Sequence, residues 1–323
     1  MTTYCPRITV ITPSYQQAAY LERTIISILS QNYPNLEYII IDGGSTDGSV
    51  EIIRKHAFQL AYWVSEPDSG QTDAINKAIK KATGELLIWI NSDDLLLPGS
   101  LQTAAKYHAR YPDSILLADV INFADGQTWG YYMHQRNVTL ENLLVLWNPK
   151  GFWHQPGTFV PRSRLERAPQ LDPTLHFHFD RDWMCRLLVE KNQVIYIEEA
   201  AAAFRLHPNS KTSCEAPNMV SELRQICARF ADEFSPPERI YFPAGIELVQ
   251  ANYFLSSEYP AFWSRTKALG HVLKAVRHSW KTLGRGYFFK IVIKLLMPKW
   301  FTKLVSQRII SKNRRQHLPP EYY

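Results

Sequence analysis

The sequence lacks any apolar run close to the ~20 residues that a membrane-spanning helix needs. Its best candidate, residues 287–297, is interrupted by Lys290 and Lys294. Only four of the 323 residues are cysteine, and no two share a Cys-x-x-Cys spacing, which argues against a disulfide framework and a zinc site. No secretory signal precedes the first strand-like run. These absences predict a cytoplasmic protein with reduced thiols.

Acidic residues are missing from residues 261–320, which contain fourteen Lys and Arg but no Asp or Glu. The rest of the chain holds the other 22 of the 36 basic residues and all 30 acidic ones. An acidic body thus carries a basic tail, and we expect the partner of the tail to be anionic. The composition is otherwise that of an ordinary globular protein, and at ~150 residues per domain the length predicts about two domains.

The sequence also lacks the Gly-x-Gly-x-x-Gly turn and the P-loop, so neither a dinucleotide-binding fold nor a P-loop NTPase is indicated. Residues 1–125 instead alternate β-branched runs with amphipathic stretches, a pattern typical of an α/β domain with a mainly parallel sheet. Strands are predicted at residues 8–12, 38–41, 62–64 and 86–90. Apolar residues at helical spacing between Leu21 and Leu29 predict the first helix, and Ser49 is expected to cap the second.

Polar residues directly follow two of these strands: Asp42 follows the second, and the Asn-Ser-Asp-Asp tract 91–94 follows the fourth. Ligands of open α/β sheets bind at the carboxyl ends of the strands. Adjacent carboxylates repel each other and favour a bound cation, such as the oxygen-ligated Mg²⁺ of phosphate sites. The alternative is local, with Asp42 capping its own turn and Asp93 or Asp94 capping a helix near Pro98.

A second group of chemically active residue types lies further along the chain, in the segment 153–157 and at Asp180, Asp182, Arg205 and His207. Asp180 and Asp182 stand at the start of a predicted helix, where they either cap the helix or supply a general base. His207 is either a metal ligand or a structurally satisfied histidine. His176 and His178 alternate in a way that is more typical of a strand face than of a zinc site.

Three segments, residues 8–15, 31–49 and 89–94, together resemble glycosyltransferase family 2, the nucleotide-sugar-dependent transferases of the GT-A fold. The resemblance extends more loosely to about residue 212. It implies an α/β GT-A fold, with a mainly parallel mixed sheet flanked by helices and a helical C-terminal extension. It also implies inverting, metal-dependent transfer from a UDP-, GDP- or dTDP-sugar to a glycan or lipid-linked acceptor in cell-surface polysaccharide biosynthesis. The Gln-x-x-Arg-Trp motif of processive synthases is absent, so we expect single sugar additions.

The resemblance assigns roles residue by residue. The donor-binding residues that it implies are Thr12, Pro13, Tyr15, Asp42, Gly44, Asp68, Gln71, Asp73, Asn76, Asn91, Ser92 and Arg205. The ligands that it implies for Mn²⁺ or Mg²⁺ are Asp93, Asp94 and His207. The general base that it implies is Asp180, with Asp182 as the second choice.

Three positions depart from the family pattern. Gly43 stands where a second Asp is common, Asn91 replaces the first Asp of Asp-x-Asp, and Phe179 replaces a Glu. These departures keep open a catalytically inactive nucleotide-sugar-binding or membrane scaffold protein. A sugar nucleotidyltransferase is a further alternative, although residues 12–15 do not carry the glycine-rich, basic signature that it requires.

We expect residues 1–212 to form the catalytic domain, with a nucleotide-sugar half at 1–125 and an acceptor half at 126–212. A hairpin is predicted at their junction, at Asp125-Gly126. Residues 213–323 are expected to be helical and basic, and the aromatic, aliphatic and lysine residues interleaved at 287–303 are typical of a helix in the interface of an anionic membrane. The protein would then be peripheral on the inner face of the cell membrane. The alternative is a C-terminal helix packed on the catalytic domain. No nucleic acid partner is expected, because no nucleic-acid-binding motif accompanies the positive charge of the tail.

Overall fold

The computed structural model describes residues 5–144, 152–166, 168–189, 193–207, 217–239, 241–256, 261–280, 286–297 and 315–318. The chain divides into two compact units. The first comprises residues 1–135, 154–208 and 314–323, and the second comprises residues 136–153 and 209–313. Position 212, the expected domain boundary, lies outside the described residues. The expected catalytic domain at residues 1–212 and helical region at residues 213–323 stay predictions.

The described part of the first unit contains ten strands. They are β1 Ile8–Ser14, β2 Leu36–Asp42, β3 Tyr62–Ser65, β4 Leu86–Trp89, β5 Leu95–Leu96, β6 Ile115–Ala124, β7 Trp129–Met133, β8 Thr158–Pro161, β9 Val194–Leu206 and β10 Arg315–His317. The α-helices of both units are α1 Ala18–Leu29, α2 Ser49–His56, α3 Gln71–Lys81, α4 Ser100–Arg110, α5 Leu140–Leu144, α6 Arg162–Leu165, α7 Phe179–Leu188, α8 Pro217–Arg229, α9 Pro236–Arg239, α10 Tyr241–Ser256, α11 Ala261–His278 and α12 Gly286–Leu296.

The strands form one mixed sheet in the order β10-β7-β6-β8-β4-β1-β2-β3, and β9 pairs with both β5 and β6. The four strands predicted from the sequence, β1 to β4, pair in parallel as β4-β1-β2-β3. Strand β8 joins this parallel part antiparallel to β4 and β6, while β6 and β9 run parallel. The carboxyl ends of β1, β2, β3 and β4 therefore lie along one edge of the sheet.

Strands β1 and β2 are buried along nearly their whole length, as expected for central strands of a sheet that helices cover on both faces. Helix α1 packs against the sheet with Leu21, Ile25 and Ile28, which are all fully buried. Leu29 is only half-buried. The helical spacing predicted for this segment is thus confirmed.

The second helix begins differently from the prediction. Gly48 is the N-cap of α2 at φ +103°, and Ser49 is the first helical residue. Glycine adopts this left-handed backbone without a Cβ penalty. The Ser49 hydroxyl instead donates to Asp47 Oδ1 at 2.7 Å and accepts the backbone N–H of Gln17 at 3.1 Å. The prediction of Ser49 as the N-cap is therefore wrong.

The alternative in which Asp93 or Asp94 caps a helix is also wrong. Helix α4 begins only at Ser100, after the N-cap Gly99. The short strand β5 lies between Asp94 and that helix and pairs antiparallel with β9. Pairing with β9 thus takes the chain directly from the acidic tract into the sheet, so the two carboxylates are not at a helix terminus.

Two further local predictions have opposite outcomes. The hairpin at Asp125-Gly126 is confirmed, because it joins the antiparallel strands β6 and β7 with Gly126 at φ +74°. The prediction that His176 and His178 lie on the face of a strand is wrong. Residues 176–178 form a bend rather than a strand, and His178 is the N-cap of α7.

The second unit contains α5 and α8 to α12, and an ion-pair network joins three of these helices. Glu247 of α10 accepts hydrogen bonds from Arg224 of α8 at 2.9 Å and from His271 of α11 at 2.6 Å. Burial alone would raise the pKa of Glu247, but the hydrogen bonds and charges of His271 and Arg224 outweigh burial and hold this pKa below its ordinary value. The ionised carboxylate thus stabilises the packing of this unit.

Two of the absences noted in the sequence can be followed in the structure. Among the described residues, no helix combines the length and the apolar character needed to cross a bilayer. Cys5, Cys185 and Cys227 form no disulfide, and Cys214 lies outside the described residues.

Candidate functional site

Strand β2 ends at Asp42, whose carboxylate organises the glycine-rich turn that follows. Oδ2 accepts the backbone N–H groups of Gly44 at 3.1 Å and Ser45 at 2.8 Å, together with the Ser65 hydroxyl at 2.7 Å. Oδ1 accepts the Ser45 hydroxyl at 2.6 Å. Gly44 has φ +81°, a conformation that favours glycine. The structure therefore gives Asp42 a turn-capping role, and its contact with a nucleobase stays a prediction.

The loop after β1 lies against this turn. The register of the two parallel strands pairs Ser14 with Asp42, so both loops leave the sheet at the same edge. The backbone N–H of Gln16 donates to the Ser45 hydroxyl oxygen at 2.8 Å. This contact joins the loop after β1 to the turn after β2.

The three predicted donor residues at the end of β1 differ in accessibility. Thr12 and Pro13 are buried inside the strand, and Thr12 Oγ1 lies 3.1 Å from the Tyr38 hydroxyl. Tyr15 is 60% exposed. Of the three side chains, only that of Tyr15 is open to a ligand without rearrangement.

Gly43 permits a close approach by Asp68, which follows β3. A Cβ built on Gly43 would lie 2.9 Å from Asp68 Oδ2. Asp68 Oδ1 accepts the backbone N–H of Gly70 at 2.8 Å. Burial raises the pKa of Asp68, and the neighbouring charges of Asp73 and Asp42 raise it further. This concentration of negative charge favours hydroxyl donors or a cation at the sheet edge.

A chain of hydrogen bonds links α3 to the acidic tract. Gln71 Nε2 donates to Asn91 Oδ1 at 2.9 Å, and Asn91 Nδ2 donates to Asp94 Oδ2 at 3.2 Å. Asp94 is fully buried, and its Oδ1 accepts the backbone N–H of Arg205 at 3.0 Å. Burial and then the charge of Asp93 raise the pKa of Asp94 well above its ordinary value. Since both oxygens of Asp94 are used inside the protein, the geometry favours Asp93 as the ligand that faces outward.

Asp93 and His207 meet at the end of the sheet although 114 positions separate them in the sequence. Asp93 Oδ2 lies 3.0 Å from His207 Nε2, and the Asp93 side chain is 20% exposed. The Asp93 carbonyl oxygen accepts a hydrogen bond from Arg205 Nε at 2.9 Å. Strand β9 contains Arg205 and ends one residue before His207. The pairing of β9 with β5 and β6 therefore creates this contact.

The Arg205 guanidinium lies between two aromatic rings. Its carbon is 5.0 Å from the centroid of Tyr20 and 4.7 Å from that of Phe123, and Nη1 donates to Asp125 Oδ1 at 2.9 Å. The ring of His207 packs 4.7 Å from that of Tyr20. Among the described residues, Arg205 Nη2 is buried without a hydrogen-bond partner. Arg205 thus braces the loop after β4, and its contact with a donor stays a prediction.

The residues around Asp93 fit a divalent cation. Cis ligands at ~2.1 Å in an octahedral site lie about 3.0 Å apart, which matches the separation of Asp93 Oδ2 and His207 Nε2. Within the described residues, no group of three or more His, Cys, Asp or Glu side chains could hold a metal by itself. Asp93 and His207 could therefore supply two ligands, and the binding of a cation by this pair stays a prediction.

Helix α7 holds the two candidate bases. Asp182 is fully buried, and its Oδ2 accepts a hydrogen bond from Arg186 Nε at 2.9 Å. Asp180 is half-buried, and its Oδ1 accepts the backbone N–H of Arg181 at 2.7 Å. The geometry favours Asp180 because a base must reach the substrate, whereas Asp182 is committed to an internal ion pair.

An aromatic contact holds α7 against the end of β4. The rings of Trp183 and Trp89 lie 4.8 Å apart, and Trp183 Nε1 donates to the Ala168 carbonyl oxygen at 2.9 Å. Trp89 is the last residue of β4, two positions before the acidic tract. The fold therefore brings α7 to the strand end that carries Asp93.

Three other predicted donor residues have structural partners. The Asn76 amide donates to the Leu171 carbonyl at 2.9 Å and accepts the Leu171 backbone N–H at 2.8 Å, so it positions the segment before α7. Asp73 pairs with Lys77 at 3.5 Å, and the carbonyl oxygen of buried Ser92 accepts the Thr24 hydroxyl at 2.9 Å. Their contacts with a donor stay predictions.

The segment 153–157 supports the same strand end. Gln155 Nε2 donates to the Trp89 carbonyl oxygen at 2.8 Å. Burial lowers the pKa of His154 to about 4, so its ring is neutral near pH 7. The residue types of this segment mark it as chemically active without indicating a role. Tyr20 is not indicated by the sequence, because no local pattern marks a residue that packs on Arg205.

A separate cavity of about 520 Å³ lies beside the turn after β2. Its lining comes from the turn, α2 and β3, and includes Ser45, Arg54 and Trp63. Neither Asp93 nor Asp180 lines it. The cavity is therefore distinct from the Asp93–His207 pair.

The family model described as glycosyl transferase family 2 matches residues 9–183, more than half of the chain. The chain belongs to glycosyltransferase family 2. This confirms the resemblance inferred from the sequence. The matched range includes the turn after Asp42, the acidic tract 91–94, and both Asp180 and Asp182.

Relatives and solved structures agree with this assignment. TuaG of Bacillus subtilis (strain 168), named as a teichuronic acid biosynthesis glycosyltransferase, is 45% identical over 56 residues, which are 17% of this chain. The match spans 22% of the length of TuaG, about a fifth. The structure of S. aureus TarS 1–349 in complex with UDP-GlcNAc has a TM-score of 0.62 and 16% identity, covering 84% of this chain and 81% of that one.

A second solved structure has the same fold. Mannosyltransferase PcManGT from Pyrobaculum calidifontis, in complex with GDP-Man and Mn²⁺, has a TM-score of 0.55 and 21% identity, covering 92% of this chain and 89% of that one. At such identities the likeness shows the fold alone. The expected GT-A fold, a mixed sheet flanked by helices with further helices toward the C-terminus, is confirmed.

Proposed function

We propose that the protein is an inverting glycosyltransferase that moves one sugar from a nucleotide-diphospho-sugar to an acceptor hydroxyl. The observation that carries this proposal is the contact between Asp93 and His207 at the ligand-binding edge of the sheet. Membership of glycosyltransferase family 2 supports it. The donor is a UDP-, GDP- or dTDP-sugar, in keeping with the UDP-GlcNAc and GDP-Man bound to the two structural neighbours.

In this proposal the donor lies along the carboxyl ends of β1, β2 and β4. The nucleoside contacts exposed Tyr15 and the turn after Asp42, and the diphosphate approaches Asp93 and His207. Arg205 Nη2 supplies a further donor for a phosphate oxygen. Mn²⁺ or Mg²⁺ held by Asp93 and His207 would supply Lewis-acid stabilisation of the charge on the departing diphosphate.

Asp180 acts as the general base in the proposed reaction. Its carboxylate accepts the proton of the acceptor hydroxyl while the hydroxyl oxygen forms a bond to the anomeric carbon. The bond between that carbon and the diphosphate oxygen breaks on the opposite side, so the configuration inverts. Proton transfer to a positioned carboxylate contributes about 10²–10⁴-fold to the rate.

The proposed acceptor is a glycan or lipid-linked hydroxyl in cell-surface polysaccharide biosynthesis. The name of TuaG supports this class. Single additions are proposed because the chain lacks the Gln-x-x-Arg-Trp motif. The place of action would be the cytoplasmic face of the cell membrane, with the protein bound peripherally and with no nucleic acid partner.

The proposal is tested by incubating the purified full-length protein with UDP-, GDP- and dTDP-sugars in Mn²⁺ or Mg²⁺, and measuring nucleotide release and sugar transfer. We expect turnover with one donor class, loss of turnover on chelation, and recovery when the metal is restored. Asp93→Ala and Asp180→Asn should each lower turnover by about 10²-fold or more while the unfolding temperature stays near wild type.

Glu141→Ala is the matched control, because it removes an exposed carboxylate of α5 in the second unit. This variant should retain wild-type turnover. A folded Asp180→Asn protein with normal turnover would reject the base assignment. Failure of every nucleotide-sugar to bind or react would favour the inactive scaffold protein.

A further inference from the structure

Exposed apolar side chains are concentrated on two helices of the second unit. Of the thirteen large apolar residues that are exposed in the described part of the chain, seven lie on α11 and α12 or directly after them. They are Leu269, Leu273, Trp280, Phe289, Ile293, Leu296 and Met297. We call this set the apolar stripe. A concentration of exposed apolar side chains on two connected helices is a feature of interaction sites.

On α11 the stripe lies beside the buried face of the helix. Leu269 and Leu273 are four positions apart, so they project from the same side of the helix, and Trp280 follows two residues after the helix ends at His278. Their exposed fractions are 45%, 61% and 72%. Val272 and Ala275 belong to the adjacent face and are buried. The stripe is therefore additional to the face that packs inside the unit.

Helix α12 repeats this arrangement. Phe289, Ile293 and Leu296 are spaced by four and three residues and are exposed, whereas Phe288 and Ile291 are buried. A hydrogen bond between the side chain of Arg265 and the Met297 carbonyl oxygen, 2.8 Å long, joins the first turn of α11 to the end of α12. The part of the predicted amphipathic segment at 298–303 lies outside the described residues.

Positive charge flanks the stripe on both helices. Lys267, Lys274 and Arg277 of α11 and Lys290 of α12 are exposed. Residues 261–320 contain no Asp or Glu. Apolar side chains bordered by basic ones match the interface of an anionic bilayer. The acyl region of the bilayer accepts the apolar side chains, and its phosphate groups attract the basic ones.

We infer that the apolar stripe is a docking surface for an anionic lipid membrane. A second copy of the chain would bring the same basic residues together and would be repelled. A nucleic acid would attract the charge but offers no apolar layer for Trp280 and the leucines. The inference names the surface by which the protein would bind the membrane peripherally. It rests on the proposed function only for the lipid-linked acceptor. Binding to vesicles can be measured without a sugar donor.

The test is flotation of the full-length protein with phosphatidylcholine vesicles, with and without phosphatidylglycerol, at low and high salt. We expect binding only to the anionic vesicles, weakened by salt. Leu273→Ser and Leu296→Ser should each lower the vesicle partition coefficient about tenfold, since each removes a large apolar side chain from the acyl layer. Lys290→Glu should lower it most strongly at low salt.

Phe58→Ser is the matched control, because Phe58 is 86% exposed and lies in the first unit. This variant should bind vesicles like wild type. All variants should keep wild-type nucleotide release from the donor, which separates this test from that of the proposed function. The inference is overturned if anionic vesicles do not bind the protein, or if the leucine variants float like wild type. Conversion of a dimer to a monomer by Leu273→Ser, with flotation unchanged, would assign the surface to a second copy instead.

Discussion

The carboxylate of Asp42 provides a quantitative test of the site, because its structural role and its implied role in base recognition make different demands on the side chain. It accepts four hydrogen bonds from Gly44, Ser45 and Ser65, at 2.6–3.1 Å. Hydrogen bonds to a charged group contribute about 1.5–3 kcal/mol each, and neutral ones about 0.5–1.5 kcal/mol. Replacing Asp42 by Asn and separately by Ala therefore distinguishes the contribution of the hydrogen-bond geometry from that of the negative charge.

In Asp42→Asn, the amide oxygen can take the place of Oδ2 and accept three of the four hydrogen bonds. The amide nitrogen can then donate to the Ser45 hydroxyl oxygen. The turn survives without charge assistance, and we expect a loss of about 2 kcal/mol in the free energy of unfolding. In Asp42→Ala, the N–H groups of Gly44 and Ser45 lose their acceptor, and we expect a loss of about 4 kcal/mol.

The assay is urea unfolding of wild type and both variants, combined with the KM for the donor. Equal stability of the Asn and Ala variants would refute the turn-capping argument, because only Asn can replace the hydrogen bonds. If Asp42→Asn stays folded and raises the donor KM by tenfold or more, the carboxylate itself contacts the base, as the family resemblance implies. A KM that rises only with Asp42→Ala would assign Asp42 to the turn alone.

The remaining predictions concern neighbouring contacts and the second unit. Gly43→Ala places a Cβ 2.9 Å from Asp68 Oδ2 and displaces that carboxylate, so the donor KM should rise about tenfold at an unchanged melting temperature. An unchanged KM would exclude Asp68 from donor binding. Because the pKa of Glu247 lies below its ordinary 4.5, its contribution to stability is complete above pH 4.5 and is lost as the pH falls through its folded value. Glu247→Gln should flatten this part of the profile of melting temperature against pH, and an identical acid slope would contradict it. Arg205→Met should lower the free energy of unfolding by about 2–3 kcal/mol, measured by urea unfolding, and a loss below about 0.5 kcal/mol would show that the bracing contacts are weak.

Local patterns predict local structure well in the first unit. The β-branched runs place β1 to β4 correctly. A buried parallel strand needs a continuous apolar segment, which explains β1, β2 and β4, whereas β3 is half-buried at the end of the sheet. The helical spacing from Leu21 to Leu29 identifies the face of α1. The cap at Ser49 fails because a left-handed Gly48 starts the helix one position earlier, and the backbone conformation of a glycine cannot be read from residue type alone.

The amino-acid sequence by itself determined the strands of the parallel sheet, the position of Asp42 and of the acidic tract at their ends, and membership of the family, since each depends on short-range pattern. Only the tertiary structure decided which carboxylate faces outward. Asp93 meets His207, and Asp94 is buried against Arg205, because β9 returns beside β5 and β6 more than a hundred residues later. Strand pairing over that distance depends on the packing of the whole sheet, which no local sequence pattern encodes.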